Sequence, residues 1–272
     1  MNPCTQFGNY LKMRVRGASH APRLEFELAN FPAGCAIDRA ALRAFMERRA
    51  PGRDDLSTAR REPDEVVFMS RHKAASAIPT LTVHPIGNYK KADFGGRSGT
   101  LVKASPNNMS QALRLISAYN DTETFKVSFE VTHHGPYLET PTYFIEIGSD
   151  ETNWGNVRAA EILGRVLEET QPSDGHLTAI GVGGGHYAPR FTEMVLGYKI
   201  DIGHMVPGYQ LDGMDDDTVV DYIRKASEAT GGTKCVYLHK KAFKKSEQHR
   251  MEDLIGSMGF EVVSSKDLDP LQ

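Results

Sequence analysis

Cysteine is scarce in this chain. Three occur in 272 residues, Cys4, Cys35 and Cys235, and they lie far apart. An odd, sparse set is no disulfide framework and suits a reducing compartment. No pair has zinc-finger spacing, so any metal site must draw on histidine and carboxylate. Long apolar runs are missing as well. Nothing approaches the roughly 20 residues of a membrane span, and the start carries no charged-then-apolar leader, so the expected location is the cytoplasm and no membrane partner is expected. A dominant charge is also absent: 32 Lys and Arg stand against 35 Asp and Glu, a net of −3. That argues against attachment to nucleic acid by bulk charge but leaves room for a local basic patch. Aromatic residues make up 8% of the chain and are not interleaved with basic ones as in base-stacking modules. There is no internal repeat and no low-complexity linker.

What remains is an alternation of short apolar runs and amphipathic stretches. Glu65–Ser70, Leu81–Val83, Lys126–His134, Thr142–Gly148, Leu177–Val182, Lys199–Ile202, Cys235–Leu238 and Phe260–Val263 read as strands. Gln111–Ala118, a stretch from Asp150 to about Glu169, Arg190–Leu196, a segment around Val219–Ala226 and one around Met251–Met258 read as helices. Strands alternating with helices predict an α/β fold: a single domain with a central mixed, largely parallel sheet flanked by helices. The first 60 or so residues are less legible. Met13–Leu28 has no clean period, Ala40–Arg48 reads as a short helix, and Arg49–Asp64, with Pro51, Gly52 and Pro63, reads as a loop.

Six of the ten histidines, His72, His84, His133, His134, His186 and His204, fall within a few residues of the C-terminal end of an apolar strand. In open α/β sheets the ligand crevice lies beyond those ends, so the six are expected to converge. Val127, Phe129, Val131 and His133 share one face of their strand, and Ser128, Glu130, Thr132 and His134 share the other. One of the two adjacent histidines is therefore expected to act and the other to position it. Glu146 lies inside TYFIEIG, apolar on both sides. Burying a carboxylate there is costly unless it is paired or metal-bound, so Glu146 is a candidate metal ligand, general base or histidine-orienting group. Gly181-Val182-Gly183-Gly184-Gly185-His186 does not fit the dinucleotide pattern G-x-G-x-x-G, because His186 takes the last position, and Pro189 interrupts any long helix directly after it. Its bare amides suit a substrate backbone, a phosphate or a developing oxyanion. The working assignment puts His134, Glu146, His186, Gly184 and Gly185 in the catalytic group and His72, His84, His133 and His204 among the metal donors. Two basic segments could meet nucleic-acid phosphates: Lys90, Lys91 and Arg97, and then Lys240, Lys241, Lys244 and Lys245.

Several short motifs, in order, carry a resemblance. They are Ser70-Arg71-His72, Leu81-Thr82-Val83-His84-Pro85-Ile86-Gly87-Asn88, Val131-Thr132-His133-His134-Gly135-Pro136, Phe144-Ile145-Glu146-Ile147-Gly148-Ser149 with Trp154, Gly183-Gly184-Gly185-His186-Tyr187-Ala188-Pro189-Arg190, and Gly203-His204. Together they resemble the D-aminoacyl-tRNA deacylases of the archaeal and plant type from about Val66 to the C-terminus. The resemblance implies a fold similar to nucleoside phosphorylases and peptidyl-tRNA hydrolases, zinc as cofactor, and hydrolysis of D-aminoacyl-tRNA to D-amino acid and tRNA. The expected partner is D-aminoacyl-tRNA, not DNA, and the expected form is a monomer with one deacylase domain over residues 1–272. Residues 1–64 match poorly, because family members open with an apolar strand and Met1–Leu28 does not read as one. A phosphorylase, a peptidyl-tRNA hydrolase or a non-catalytic tRNA-binding protein are the alternatives.

Overall fold

The computed structural model describes residues 64–271 and, before them, three strands. The chain divides into two compact units, Met1–Pro63 and Asp64–Gln272. In the first, β1 (Cys4–Phe7), β2 (Leu11–Arg16) and β3 (Glu25–Ala29) form an antiparallel sheet in that order. Met13–Leu28, which lacks a clean hydrophobic period, thus supplies strands after all; backbone pairing here does not need a one-sided apolar pattern. The helix expected at Ala40–Arg48 lies outside the described residues.

The second unit is α/β with largely parallel pairing. One four-stranded sheet contains β4 (Val66–Arg71), β9 (Thr142–Gly148), β5 (Thr80–Pro85) and β8 (Lys126–Phe129), in the order β4-β9-β5-β8. β4 runs parallel to β9 and β5 parallel to β8, while β5 and β9 are antiparallel. The other sheet is all parallel, in the order β11-β10-β12-β13, from β10 (Leu177–Val182), β11 (Ile200–Val206), β12 (Cys235–Leu238) and β13 (Glu261–Val263). A short ribbon, β6 (Gly87–Asn88) with β7 (Thr100–Leu101), closes the base of the long loop after β5.

Helices α1 (Pro106–Tyr119), α2 (Val157–Glu169), α3 (Pro189–Gly197), α4 (Gly208–Leu211), α5 (Asp216–Ala229) and α6 (Lys245–Ser257) complete the unit. Several boundaries differ from the sequence reading. Asp150 opens no helix. Its carboxylate accepts from Thr152 and Asn153 in a local turn, and the helix starts seven residues later, capped by Asn156. β11 also runs on past Ile202, because Gly203 and His204 sit within the strand and not beyond it.

The first sheet positions the site because its two faces differ. Leu81 and Val83 of β5 and Tyr143, Ile145 and Ile147 of β9 enter the main core with α1 and α2. The alternate residues, Thr82 and His84 of β5 and Phe144 and Glu146 of β9, occupy the other face. Thr82 lies directly across from Glu146 on one side, and Ser70 lies across from it on the other.

Candidate active site

A cavity of about 540 Å³ opens on that polar face. His72, Glu130, His133, His134, Glu146 and His186 line it, and His84 lies buried at its edge. They arrive on five backbone segments, one of which carries Glu130, His133 and His134 together. His72 comes just after the end of β4 and His84 is inside β5. Glu130 to His134 leave β8, which ends at Phe129, earlier than the alternating pattern suggests. That early end removes the constraint that adjacent strand residues face opposite ways. His134 takes a left-handed φ of 39°, uncommon for a residue with a side chain and concentrated at functional positions. Both histidines consequently face the same cluster, their ring centroids 4.4 Å apart. His84 lies 4.2 Å from His133 and 5.0 Å from His134, and His133 lies 4.6 Å from His186.

Glu130 is at the centre. His186 Nε2 approaches its Oε2 at 3.1 Å, His133 Nε2 approaches the same oxygen at 3.4 Å, and His72 Nδ1 comes to 3.3 Å from Oε1. Glu146 Oε2 is 3.6 Å from both His72 Nδ1 and His84 Nε2. Neither carboxylate has an Arg or Lys partner within ion-pair distance among the described residues. Glu130 is legible in the sequence as part of the polar face of its segment, yet is not among the site residues expected there. The signal for it is that this polar face leads straight into His133-His134. Tyr187 is a second residue that sequence reasoning misses. Its hydroxyl lies 2.9 Å from His72 Nε2. Trp154 Nε1 donates to the His72 carbonyl. Gly148 is needed beneath His72, since a Cβ there would come within 2.0 Å of the imidazole.

The electrostatics derive from burial and crowding. Burial favours the neutral acid of Glu130, but His186, His84, His72 and His133 outweigh it and hold the carboxyl well below the usual carboxylate range. Glu146 is also lowered: burial opposes ionisation and the adjacent His84 overcomes it. Burial and the neighbouring His84 push His133 far below the ordinary imidazole value and lower His134 as well. For His84 itself burial acts downward, and Glu146 with Glu130 carries the net shift upward. The cluster thus holds both carboxylates as anions and favours neutral rings, with lone pairs, at His133 and His134 beside them.

This donor set fits a metal ion. His84 Nε2, both Glu130 oxygens and Glu146 Oε2 are buried without an aligned hydrogen bond, although partners stand within a few ångströms. Buried polar atoms are normally paired, so atoms brought together but aimed past one another suit a shared cation. Three overlapping groups qualify: His84, His133 and His134; Glu130, His133 and His186; and His72, Glu130 and Glu146, with the ligand atoms of each group all within 4.8 Å of one another.

Other expected site residues are elsewhere. His204 is fully buried in the middle of β11, with Nδ1 3.0 Å from Thr132 Oγ1 and Nε2 2.7 Å from the Val102 carbonyl. Both ring nitrogens are engaged, so it is not placed among the donors. The expected strand end after Ile202 is what misplaced it. Gly184 and Gly185 do not line the cavity; Gly184 instead accepts from the Gly208 amide, and the loop's contribution is to deliver His186. Lys90 and Lys91 lie at the cavity rim, with Lys91 paired to Asp93, while Arg97 stacks 3.8 Å over the Tyr137 ring. Lys240, Lys241, Lys244 and Lys245 are all exposed, and Lys240 pairs with Glu252.

Comparison with known proteins gives a consistent family. The model for the family described as D-aminoacyl-tRNA deacylase matches residues 59–263. The chain is 34% identical over 204 residues to a protein of that name from Pyrococcus furiosus, covering 74% of each. It is 36% identical over 167 residues to one from Picrophilus torridus, covering 61% of this chain and 65% of that one. It is 39% identical over 210 residues to one from Methanococcoides burtonii, covering 77% of this chain and 43% of that one. The chain therefore spans less than two thirds of several of these relatives. A crystal structure of a conserved protein of unknown function superposes with a TM-score of 0.67 at 25% identity, covering 99% of this chain and 90% of that one. A second family model, described as chorismate synthase, matches residues 11–87. That match covers the stretch where the deacylase resemblance fades. It overlaps the deacylase match over residues 59–87.

Proposed function

We propose, since this chain belongs to the D-aminoacyl-tRNA deacylase family, that it hydrolyses the ester bond of D-aminoacyl-tRNA to free D-amino acid and tRNA. The observation that carries the reading is the union of histidines with two buried, cation-lacking carboxylates in a single open cavity. Hydrolysis forms a bond from a water oxygen to the ester carbonyl carbon and breaks the bond to the ribose oxygen. The proton lost by water ends on that oxygen.

Zinc is the metal proposed, held by donors from His84, His133, His134, Glu130, His186, His72 and Glu146. When bound it supplies Lewis acidity, polarising a carbonyl and making water a competent nucleophile near neutral pH. The chain's own groups do the rest. His186 is the most exposed of the cluster and touches Glu130 at 3.1 Å, so it can carry a proton from the attacking water to the ribose oxygen. Glu130, held as an anion, stabilises the imidazolium that forms. His72 is oriented from both sides: its Nδ1 faces Glu130 and Glu146, and its Nε2 shares a hydrogen bond with the Tyr187 hydroxyl. His134 and Phe144 pack edge to face at 5.0 Å, fixing one wall. Phosphate contacts are assigned to Lys90, Lys91 and Arg97 and to Lys240, Lys241, Lys244 and Lys245.

The test is to incubate the purified protein with D- and L-tyrosyl-tRNA and follow ester loss with and without a chelator. The D form should be released faster, because a shaped pocket separates enantiomers by steric clash when both present the same groups. Equal rates on both forms would remove the proofreading function. Loss of turnover with chelator, restored by zinc, supports the metal assignment.

A further inference from the structure

Phe94 is 86% exposed, more than Met69, Ile78, Val157 or Tyr209. A lone exposed apolar side chain usually needs no explanation, but this one stands on the rim of the catalytic cavity beside Lys90, Lys91 and Asp93. The loop that carries it is pinned at many points. Gly99 donates to the Lys90 carbonyl at 2.8 Å, Asn88 Nδ2 to the Gly95 carbonyl at 2.9 Å, and the Ala92 amide to Ser98 Oγ at 3.1 Å. The β6–β7 ribbon closes its base. Gly96 lies so close against Gly135 that a Cβ on Gly135 would come 2.2 Å from the Gly96 nitrogen. Arg97 stacks on Tyr137. The loop is thus fastened to the segment that carries His133 and His134, and the Phe94 ring is held outward at the cavity mouth with no apolar partner covering it among the described residues.

We propose that Phe94 is a stacking platform for the terminal base of the tRNA's single-stranded acceptor end, with Lys90 on the adjacent phosphate. The inference rests on the ester-hydrolysis reading for its substrate. An ester on the terminal ribose can reach His133, His134 and His186 only if the attached nucleoside lies at the cavity mouth. There an exposed ring flanked by lysines matches the needs of an unpaired nucleotide: a flat apolar face for the base and positive charge for the backbone. Every base has such a face, so the platform accepts the common acceptor end of all tRNAs without reading the amino acid.

The experiment uses the full chain and two readouts. In the first, Phe94→Ala, Phe94→Leu and Phe94→Trp are compared on D-tyrosyl-tRNA and on D-tyrosine methyl ester, which has no nucleoside. Phe94→Ala should lower kcat/KM on the tRNA about tenfold more than on the methyl ester, mainly through KM. Phe94→Trp should restore most of the loss, and Phe94→Leu should not. Equal losses on both substrates, or no loss on either, would overturn the proposal. In the second, uncharged tRNA carrying 2-aminopurine at its terminal position is titrated with protein. Stacking predicts quenching that Phe94→Ala abolishes, and unchanged quenching in that variant would overturn it. This readout needs no turnover. A protein inert toward every ester but quenching through Phe94 would sink the hydrolysis reading alone.

Discussion

The two four-stranded sheets each bury a histidine and carboxylate chemistry, and they treat them in opposite ways. In the all-parallel sheet, Asp201 is buried on β11, yet Arg114 Nη1 reaches one oxygen at 2.9 Å, His176 Nδ1 lies 3.3 Å from it, and Ser173 donates to the other. His204 on the same strand is equally settled. Thr132 Oγ1 accepts from the Met205 amide and so donates to His204 Nδ1, leaving Nε2–H for the Val102 carbonyl. At the mixed sheet, Glu130, one residue past β8, and Glu146 on β9 have no guanidinium or ammonium within ion-pair distance among the described residues, and His84 Nε2 has no aligned partner. Burial is the same in both places; satisfaction differs. Buried polar groups with complete hydrogen bonding are framework, whereas buried groups gathered without it mark the place where a ligand or reaction supplies the missing partner.

The comparison is sharpened most by exchanging one carboxylate from each sheet. Glu130→Gln should cut turnover of D-tyrosyl-tRNA by about 100-fold or more, with Tm little changed because no buried cation is orphaned. Circular dichroism melts alongside the rate assay would show whether the two effects separate. Asp201→Ala should do the reverse. Breaking a buried pair leaves Arg114 uncompensated and costs about 3–5 kcal/mol of stability, while the rate per folded molecule holds. If Asp201→Ala proved as inactive as Glu130→Gln at matched folded fraction, the distinction between the sheets would collapse.

His204 offers a test by pH. Burial lowers its folded-state value to about 4, below the ordinary 6.5. A depressed histidine is neutral in the folded state while the unfolded chain takes up a proton. Its contribution to stability is therefore complete above about pH 6.5 and declines as pH falls toward 4, by about 3 kcal/mol. His204→Gln should flatten the stability curve over that window. Denaturant midpoints measured at pH 7 and pH 4.5 for both proteins check it, and parallel curves would count against the settled state of this histidine. The smallest effect is expected at the surface. Neutralising Lys240, Lys241, Lys244 and Lys245 together should raise KM for tRNA and reduce its salt dependence by about one unit of slope per lost phosphate contact. Unaltered binding at every ionic strength would make the segment a solvated face.

Much of the frame was readable from residue order alone. TYFIEIG announced a buried strand with a costly carboxylate, and β9 has those bounds with Glu146 2% exposed. Leu177–Val182 and Cys235–Leu238 were equally plain, because short apolar runs between turn residues have few other solutions. The chain also showed that His72, His84, His133, His134 and His186 lie at or just beyond strand ends, which is local information.

Convergence is not local. That His133 and His134 face the same way depends on β8 stopping at Phe129. His204 falls out of the cluster because β11 continues to Val206 and offers it Thr132 and Val102. Glu130 looked like one more residue on a polar strand face, and only the folding of β4, β5 and the Gly183–Tyr187 loop over that face turned it from a solvated group into the buried centre of the site. The sequence by itself determined which residues alternate, where apolar runs begin, and which side chains can bind or move a proton, since these arise from covalent periodicity and side-chain chemistry. The tertiary structure decided which of them lose water together. Desolvation and unpaired charge arise only when segments distant along the chain pack against one another.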